Sequence, residues 1–225
     1  MPSTHRLSLP EATRLAGIPV RRAAEIGVFS FPDSSVKGYA AAGVPCDLYE
    51  AMPRFCEHIA IDIRDLPNVT LHRFAVSNRN GTLDLHFAGH VGGSTFAVGQ
   101  ASSPALVIDR FVPDEASKVR VPVRDFAEVD PGDFDVVSID IEGGEWNVLQ
   151  QLKSRPAVLA VETHFRKYVN PHLAEIVEWC RANGYRVWYL TKSDTVFFRG
   201  EPPKLPTSTR WKLIWRRWRM YRGQV

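Results

Sequence analysis

Short apolar runs alternate with amphipathic segments along most of this chain. The apolar runs, rich in Val, Ile and Leu, predict strands, whereas apolar positions that recur every three or four residues predict helices. The predicted strands are residues 21–29, 46–51, 69–77, 82–88, 119–129, 156–164, 185–192 and 195–200. The predicted helices are residues 8–18, 34–43, 52–65 and 170–184. Residues 134–152 add one more strand followed by one more helix.

This order of elements favours a mostly parallel sheet that is covered by helices on both faces. The last two strands are close in sequence and predict an antiparallel pair. Pro122 has no backbone N–H, so residues 119–129 are predicted to form an edge strand or an extended segment. The turn at residues 78–81 predicts a hairpin arm over the next strand. Residues 89–118, rich in Gly, Ser and Ala, predict a long loop.

Carboxylates follow the buried run in "FDVVSIDIEGGEWNVLQQL" (134–152). Asp140 and Glu142 come where the strand leaves the sheet, and ligands of such sheets bind outside the carboxyl ends of the strands. Two glycines then allow the chain to turn. Glu145 begins the next helix, where an acid suits the positive end of the helix dipole. The pattern predicts a ligand cleft at this edge of the sheet.

Other predicted strands also end in polar residues. Glu25 and Gly27 end the first strand, Glu50 ends the second, and Glu162 and His164 end the strand that begins near residue 156. An acid at the end of the second strand is well placed to accept hydrogen bonds from the ribose of a nucleoside cofactor. One such acid would indicate only a surface role, but several strand ends that meet at one edge favour a site.

Composition bounds the class of protein. The chain has 225 residues, of which 44% are hydrophobic, and one α/β domain of this size can bury a full core. No apolar run reaches the roughly 18 residues of a membrane span, and the first segment lacks the pattern of a signal peptide. The cysteines, Cys46, Cys56 and Cys180, are scattered without metal-ligand spacing. We therefore expect reduced cysteines and a cytoplasmic protein.

The net charge of +3 is unevenly distributed. Residues 210–225 hold six Lys or Arg and no acid, so the remainder is mildly acidic. A helix over residues 207–225 would carry a Trp-rich face flanked by the basic residues. Such a helix could pack against the domain or a second subunit in a homodimer, or it could lie on an anionic membrane surface as a peripheral anchor. Nucleic-acid binding is not expected, because no recognised motif accompanies the tail.

Five segments carry a family resemblance. The most specific is "SIDIEGGEWNVL" (138–149). The others are "LYEAMPRF" (48–55), "LPNVTLHRFAVSNRNGTLDLHF" (66–87), "GGSTF" (92–96) and "AVETH" (160–164). In their order along the chain, these segments resemble those of the FkbM methyltransferases, a branch of the class I S-adenosylmethionine-dependent fold. The resemblance covers residues 21–200. It implies a Rossmann-like, mostly parallel seven-stranded sheet in a domain of residues 1–206, with residues 1–20 as a helical extension.

The resemblance implies an S-adenosylmethionine-dependent O-methyltransferase that acts on a hydroxyl of a small molecule, sugar or glycan precursor. It implies cofactor-binding roles for Glu25, Gly27, Glu50, Ala51, Ala75, Val76 and Asp140. Two departures from the family pattern keep a second interpretation open, a catalytically silent binding or scaffolding module. The first loop, "EIGVFSFPDSS", lacks most of the family's glycines, and Ser138 stands where the family usually has Lys.

Methyl transfer to a hydroxyl needs a group that takes the acceptor's proton, or a metal that lowers its pKa. Asp140 and Glu142 are predicted to lie near the transferred methyl group. His164 could act as the base, because an imidazole titrates near neutral pH. In the alternative, Asp140 and Glu162, together with Glu142, could hold Mg²⁺ through oxygen ligands.

Overall fold

The computed structural model describes residues 7–87, 103, 106 and 110–205, and the backbone of residues 95–97. The strands, in chain order, are β1 (Ala23–Ile26), β2 (Cys46–Tyr49), β3 (Val69–His72), β4 (Ala75–Ser77), β5 (Gly81–Phe87), β6 (Thr95–Ala97), β7 (Lys118–Asp125), β8 (Val136–Ile139), β9 (Val158–Glu162), β10 (His164–Phe165), β11 (Tyr168–Val169), β12 (Tyr185–Leu190) and β13 (Asp194–Arg199). The α-helices are α1 (Leu9–Leu15), α2 (Lys37–Ala41), α3 (Pro53–Asp62), α4 (Phe126–Val129), α5 (Glu145–Leu149) and α6 (Leu173–Ala182), with short 3₁₀ turns at Phe31–Asp33 and Glu115–Ser117.

Seven strands form the central sheet in the order β12, β13, β9, β8, β1, β2, β3. The five strands from β9 to β3 are parallel, whereas β13 is antiparallel to both β9 and β12. The predicted fold class is therefore confirmed, including the antiparallel pair at the end of the domain. Because the strand order reverses between β1 and β8, the carboxyl ends of these two strands border the crevice where such sheets bind ligands.

Alternate residues of each central strand face opposite layers of helices. Ala23 and Val136 belong to a buried cluster that also contains residues of α1, α2 and α3. The next residues along, Ala24 and Val137, belong to a second cluster with residues of α4, α5 and α6. Both faces of the sheet are thus covered, which explains why the strands read as continuous apolar runs.

A second sheet, with the order β4, β7, β5, β6, corrects four of the sequence predictions. Residues 69–77 form two strands, because β3 joins the central sheet and β4 joins the small one. The predicted hairpin arm β5 pairs with β7 and β6, so it is not a neighbour of β4. The segment predicted as a long loop contains strand β6.

The fourth correction concerns β7, which is a central strand of the small sheet and not an edge strand. Pro122 lies opposite Thr82 of β5, but β4 pairs with β7 only from Val123 onward. The missing N–H of Pro122 is therefore tolerated, since one side of the strand has no paired neighbour at that residue.

The predicted C-terminal helix, residues 207–225, lies outside the described residues. Among the residues that the structure does describe, no helix is both long enough and apolar enough to cross a membrane.

Candidate active site

A cavity of about 1120 Å³ opens at the carboxyl ends of β1, β2 and β8. All seven residues predicted to bind the cofactor line it: Glu25, Gly27, Glu50, Ala51, Ala75, Val76 and Asp140. The predicted catalytic residue Glu142 lines it as well. Pockets for drug-sized ligands typically measure about 300–1,000 Å³, so this cavity has room for a nucleoside cofactor together with a second small molecule.

Gly27 fixes the floor of the cavity at the point where β1 ends. Its φ of +84° is in the left-handed region, and a Cβ built on it would lie 1.8 Å from the carbonyl oxygen of Asp140. Any side chain at this position would therefore push the end of β8 away. The backbone N–H of Asp140 donates to the Ile26 carbonyl at 2.9 Å, which locks the two strand ends together. Gly27 thus positions Asp140 as well as opening the first loop.

Glu25 is buried beneath the first loop. Its carboxylate accepts hydrogen bonds from the Ser34 hydroxyl and, at 3.0 Å, from the backbone N–H of Ser35. Burial raises the pKa of Glu25 to about 7, although these hydrogen bonds oppose the rise. Glu25 therefore anchors the first loop through the hydroxyl of Ser34 and the backbone of Ser35.

Glu50 holds the other side of the same loop. Its Oε2 accepts from the backbone N–H of Phe29 at 3.0 Å, and its Oε1 accepts from Met52 N–H at 2.7 Å. Phe29 adopts a φ of +52° and its ring packs edge-on against Phe55, with 4.6 Å between centroids. Glu50 is only 8% exposed but still lines the cavity. Each carboxylate oxygen can accept a further hydrogen bond, so a ribose remains compatible with this position.

Three carboxylates converge at the ends of β8 and β9. Oxygen atoms of Asp140, Glu145 and Glu162 lie within 4.8 Å of one another. Burial, followed by the charges of Glu142 and Asp194, raises the pKa of Asp140 well above its usual range. Burial and the charge of Asp140 raise the pKa of Glu162 in the same way. Because these acids are buried close together, they favour binding a proton or a cation.

Glu145 has a larger role than a helix N-terminal acid, and sequence reasoning missed it. Its side chain is fully buried, and its Oε1 accepts from the N–H groups of Ile141 and Gly143 at 2.9 and 3.0 Å. Its Oε2 accepts from Asn170 Nδ2 at 2.7 Å. These bonds hold the turn that carries Glu142, whose φ is +58°. The adjacent glycines were the available signal, since a tight turn needs its free N–H groups satisfied.

His164 and Glu162 do not line the cavity within the described part of the chain. His164 lies on β10, and its Nδ1 is 2.9 Å from the Thr163 hydroxyl oxygen. Glu162 is 4% exposed and contacts Asp140, which lines the cavity. The structure therefore brings Asp140 and Glu142 to the cavity wall and sets the other two candidates behind it.

Several lining residues had no signal in the sequence. Leu83, Leu85 and Val123 come from the small sheet, which forms one wall of the cavity. Lys192 comes from the turn between β12 and β13, and Asp194 is the first residue of β13. These residues are distant from the strand-end motifs along the chain, so only the packing of the small sheet and the last hairpin brings them in. Ser138, where the family usually has Lys, also lines the cavity.

A mostly parallel sheet with a strand-order reversal, acids at its strand ends and a cavity beside the reversal form the ligand-binding arrangement of open α/β sheets, the class of fold to which class I methyltransferases belong. The family model for the Methyltransferase FkbM domain matches residues 46–187, which is more than half of the chain. The chain therefore belongs to the FkbM methyltransferase family, as the sequence predicted, and is an S-adenosylmethionine-dependent methyltransferase.

Solved structures of other methyltransferases are similar to this chain. A S-adenosylmethionine-dependent methyltransferase from Aquifex aeolicus is 12% identical, with a TM-score of 0.45 and coverage of 88% of this chain and 92% of that one. An O-methyltransferase from Bacillus cereus in complex with SAH is 14% identical, with a TM-score of 0.43 and coverage of 86% and 81%. Precorrin-6y C5,15-methyltransferase from Geobacter metallireducens is 15% identical, with a TM-score of 0.38 and coverage of 80% of each chain. No curated protein matched the chain.

Proposed function

We propose that this methyltransferase transfers its methyl group to a hydroxyl of a small molecule, sugar or glycan precursor. The observation that supports the proposal most is the meeting of Glu25, Glu50 and Asp140 at one cavity, at the strand-order reversal. S-Adenosylmethionine, when bound, supplies an activated methyl group. The residues of the chain bind the cofactor, orient the acceptor and accept its proton.

The cofactor side of the cavity is assigned to β1 and β2. Glu50 is placed to accept hydrogen bonds from ribose hydroxyls, because it is the acid that follows the second strand. Ala51, Ala75 and Val76 are small or apolar and suit contact with a purine ring. Glu25 shapes the first loop through Ser34 and Ser35.

The acceptor side is assigned to β8, where Asp140 lines the cavity among other acids. Burial and the neighbouring acids raise the pKa of Asp140, so its carboxylate is a stronger base than an ordinary one and can take a hydroxyl proton as the methyl group is transferred. His164 remains a second proposed base. Mg²⁺ held by Asp140, Glu142 and Glu162 is the alternative route, because a bound cation lowers the pKa of the acceptor hydroxyl.

The proposal is tested by measuring S-adenosylhomocysteine formation with matched acceptors that differ only in carrying a hydroxyl or an amine. We expect turnover with hydroxyl acceptors and none with the amine partners. Turnover confined to amines would contradict the choice of oxygen. Loss of all activity in excess EDTA, restored by Mg²⁺, would select the metal route over His164.

A silent binding module is the second candidate, and the first loop favours it. The N–H of Phe29 donates to Glu50 where a ribose would also bind, and the Phe29 ring lines the cavity at 43% exposure. Calorimetric titration with S-adenosylmethionine separates the two candidates, since a silent module that has lost its cofactor would give no heat of binding.

The basic tail supports a proposal about location. Residues 207–225 combine Trp residues and basic residues, and each Lys or Arg near an anionic membrane can contribute about 1 kcal/mol. We expect the protein to co-sediment with anionic vesicles, less strongly at high salt, and not with neutral ones. Deletion of residues 207–225 should abolish the binding and keep the thermal transition. A truncated chain that does not fold would assign the tail to the domain or to a dimer interface.

A further inference from the structure

The carboxylates of Asp140, Glu145 and Glu162 form a compact group at the inner wall of the cavity. Their oxygens lie within 4.8 Å of one another. Oxygen ligands lie about 2.0–2.6 Å from Mg²⁺ or Ca²⁺, so two ligands of one ion are separated by at most about 4–5 Å. Asp140 borders the open cavity, whereas Glu145 and Glu162 are buried behind it. The three oxygens are therefore spaced for a single ion with an entry path through the cavity.

No cation of the protein balances this group within the described residues. Of the ion pairs formed by residues 7–87 and 110–205, none involves Asp140, Glu145 or Glu162. The nearby ammonium of Lys192 lies over the Phe165 ring, 4.5 Å from its centroid. Buried carboxylates without a partner are costly, so an ion or protons must offset their charge.

Two buried oxygen atoms, one in the group and one on Tyr168, have no hydrogen-bond partner among the described residues. Oε2 of Glu162 has no hydrogen-bond partner among the described residues, although the residue is 96% buried, that is, 4% exposed. The hydroxyl of Tyr168, which is 1% exposed, likewise has no partner there. Burial and then the charges of Glu145 and Glu162 raise the pKa of Tyr168, so its hydroxyl feels the charge of the group. Both atoms are available to a ligand or to its bound water.

The third carboxylate is held in place in the way that metal ligands usually are. Glu145 accepts from two backbone N–H groups and from Asn170, whose Oδ1 accepts in turn from the N–H of His172. Hydrogen bonds of this kind orient ligating carboxylates before the ion arrives. The turn after β8 is thus pre-organised around the proposed ligand set.

We propose that Asp140, Glu145 and Glu162 bind one divalent cation of the oxygen-preferring class, such as Mg²⁺ or Mn²⁺. The inference deepens the proposed function, since Asp140 belongs to both, and it adds Glu145 to the ligands that the sequence indicated. A cation here would lie beside the acceptor hydroxyl and lower its pKa. The test does not require methyl transfer, so the failure of one proposal can be told from the failure of the other.

The experiment titrates the metal-free full chain with MnCl₂, without cofactor, and follows free Mn²⁺ by electron paramagnetic resonance. We expect one saturable site per chain, from which Mg²⁺ displaces Mn²⁺. Glu162→Gln keeps the shape of the side chain and removes a ligand charge, so it should weaken Mn²⁺ binding at least about 10-fold. Asn170→Ala should weaken it about 10-fold or more through Glu145, the scale known for partners of metal ligands.

Glu57→Gln is the control, because Glu57 is an acid of α3 that pairs with Arg73 and lies outside the group and outside the cavity lining. It should bind Mn²⁺ as the wild type does. If Glu162→Gln does not fold, Asp140→Asn is the second ligand variant, because Asp140 lies at the cavity surface. Non-saturable Mn²⁺ binding, or equal affinity in the wild type and the folded ligand variants, would overturn the proposal. Binding of S-adenosylmethionine by the same samples would show that the cofactor site had survived.

Discussion

The two halves of the cavity contain the same type of residue in different surroundings. On the β1–β2 side, the oxygens of Glu25 and Glu50 accept hydrogen bonds from serine hydroxyl and backbone N–H groups. On the β8–β9 side, Asp140 and Glu162 face other acids, and Oε2 of Glu162 has no donor among the described residues.

This difference indicates a division of labour. Acids whose oxygens are satisfied by donors shape a loop and can receive further donors from a ribose. Acids that crowd one another bind protons or cations strongly, because each charge raises the pKa of the next. A carboxylate at a strand end is therefore not a fixed signal; its chemistry depends on whether donors or other acids surround it.

The largest expected effect comes from the crowded half. Asp140→Asn removes the carboxylate that we propose either takes the acceptor's proton or helps to hold the cation that lowers the pKa of the acceptor hydroxyl. Methyl transfer should therefore fall by about 10²–10⁴-fold. Cofactor affinity, measured by calorimetry on the same sample, should change little. Full activity in a folded Asp140→Asn variant would show that Asp140 takes no part in methyl transfer. The proposed chemical role of the β8–β9 half would then be wrong.

A structural test of the same half uses Glu145. Glu145→Ala leaves the N–H groups of Ile141 and Gly143 and the Asn170 amide without their acceptor. Each buried donor left unsatisfied costs about 1–3 kcal/mol, so the free energy of unfolding should fall by at least about 3 kcal/mol. Denaturant unfolding measures this change, with Glu145→Gln as the milder control. A loss below about 1 kcal/mol would show that water replaces the carboxylate.

The donor-rich half makes a prediction about pH. The pKa of Glu25 is raised from 4.5 to about 7 in the folded protein, mainly by burial. The folded state therefore holds a proton that the unfolded state releases, and stability falls as pH rises from about 4.5 to about 7. The loss is at most on the order of 3 kcal/mol, at about 1.4 kcal/mol per unit. Glu25→Gln should remove this part of the slope; an unchanged slope would contradict the burial of the ionisable carboxyl.

The central sheet could be predicted from the sequence because β1, β2, β8 and β9 are buried along their whole length and are bounded by clear helix or turn signals. The small sheet could not, since β4 is three residues long and pairs with β7, more than 40 residues away in the chain. The prediction of an edge strand from Pro122 was wrong for a related reason. A proline is tolerated in an interior strand where one neighbour is missing, and the sequence of β7 does not show that β4 begins to pair only at Val123.

The site was predictable where the fold brings strand ends together. Glu25, Glu50 and Asp140 follow β-strand patterns and do meet at one cavity. Glu145 was assigned to the helix dipole, because its hydrogen bonds to the preceding turn depend on the turn's three-dimensional path. Lys192 and Asp194 follow β12, which is antiparallel to β13. The expectation that ligands bind at the carboxyl ends of parallel strands therefore does not point to them.

The most direct test of the account is a calorimetric titration of wild type, Glu50→Ala and Asp140→Asn with S-adenosylmethionine. The account predicts one site per wild-type chain, affinity weakened by about 1.5–3 kcal/mol in Glu50→Ala, which removes a charged hydrogen-bond acceptor, and near wild-type affinity in Asp140→Asn. Thermal unfolding of each variant confirms that it is folded. No binding by the wild type, or equal affinity in a folded Glu50→Ala variant, would contradict the assignment of the β1–β2 half to the cofactor.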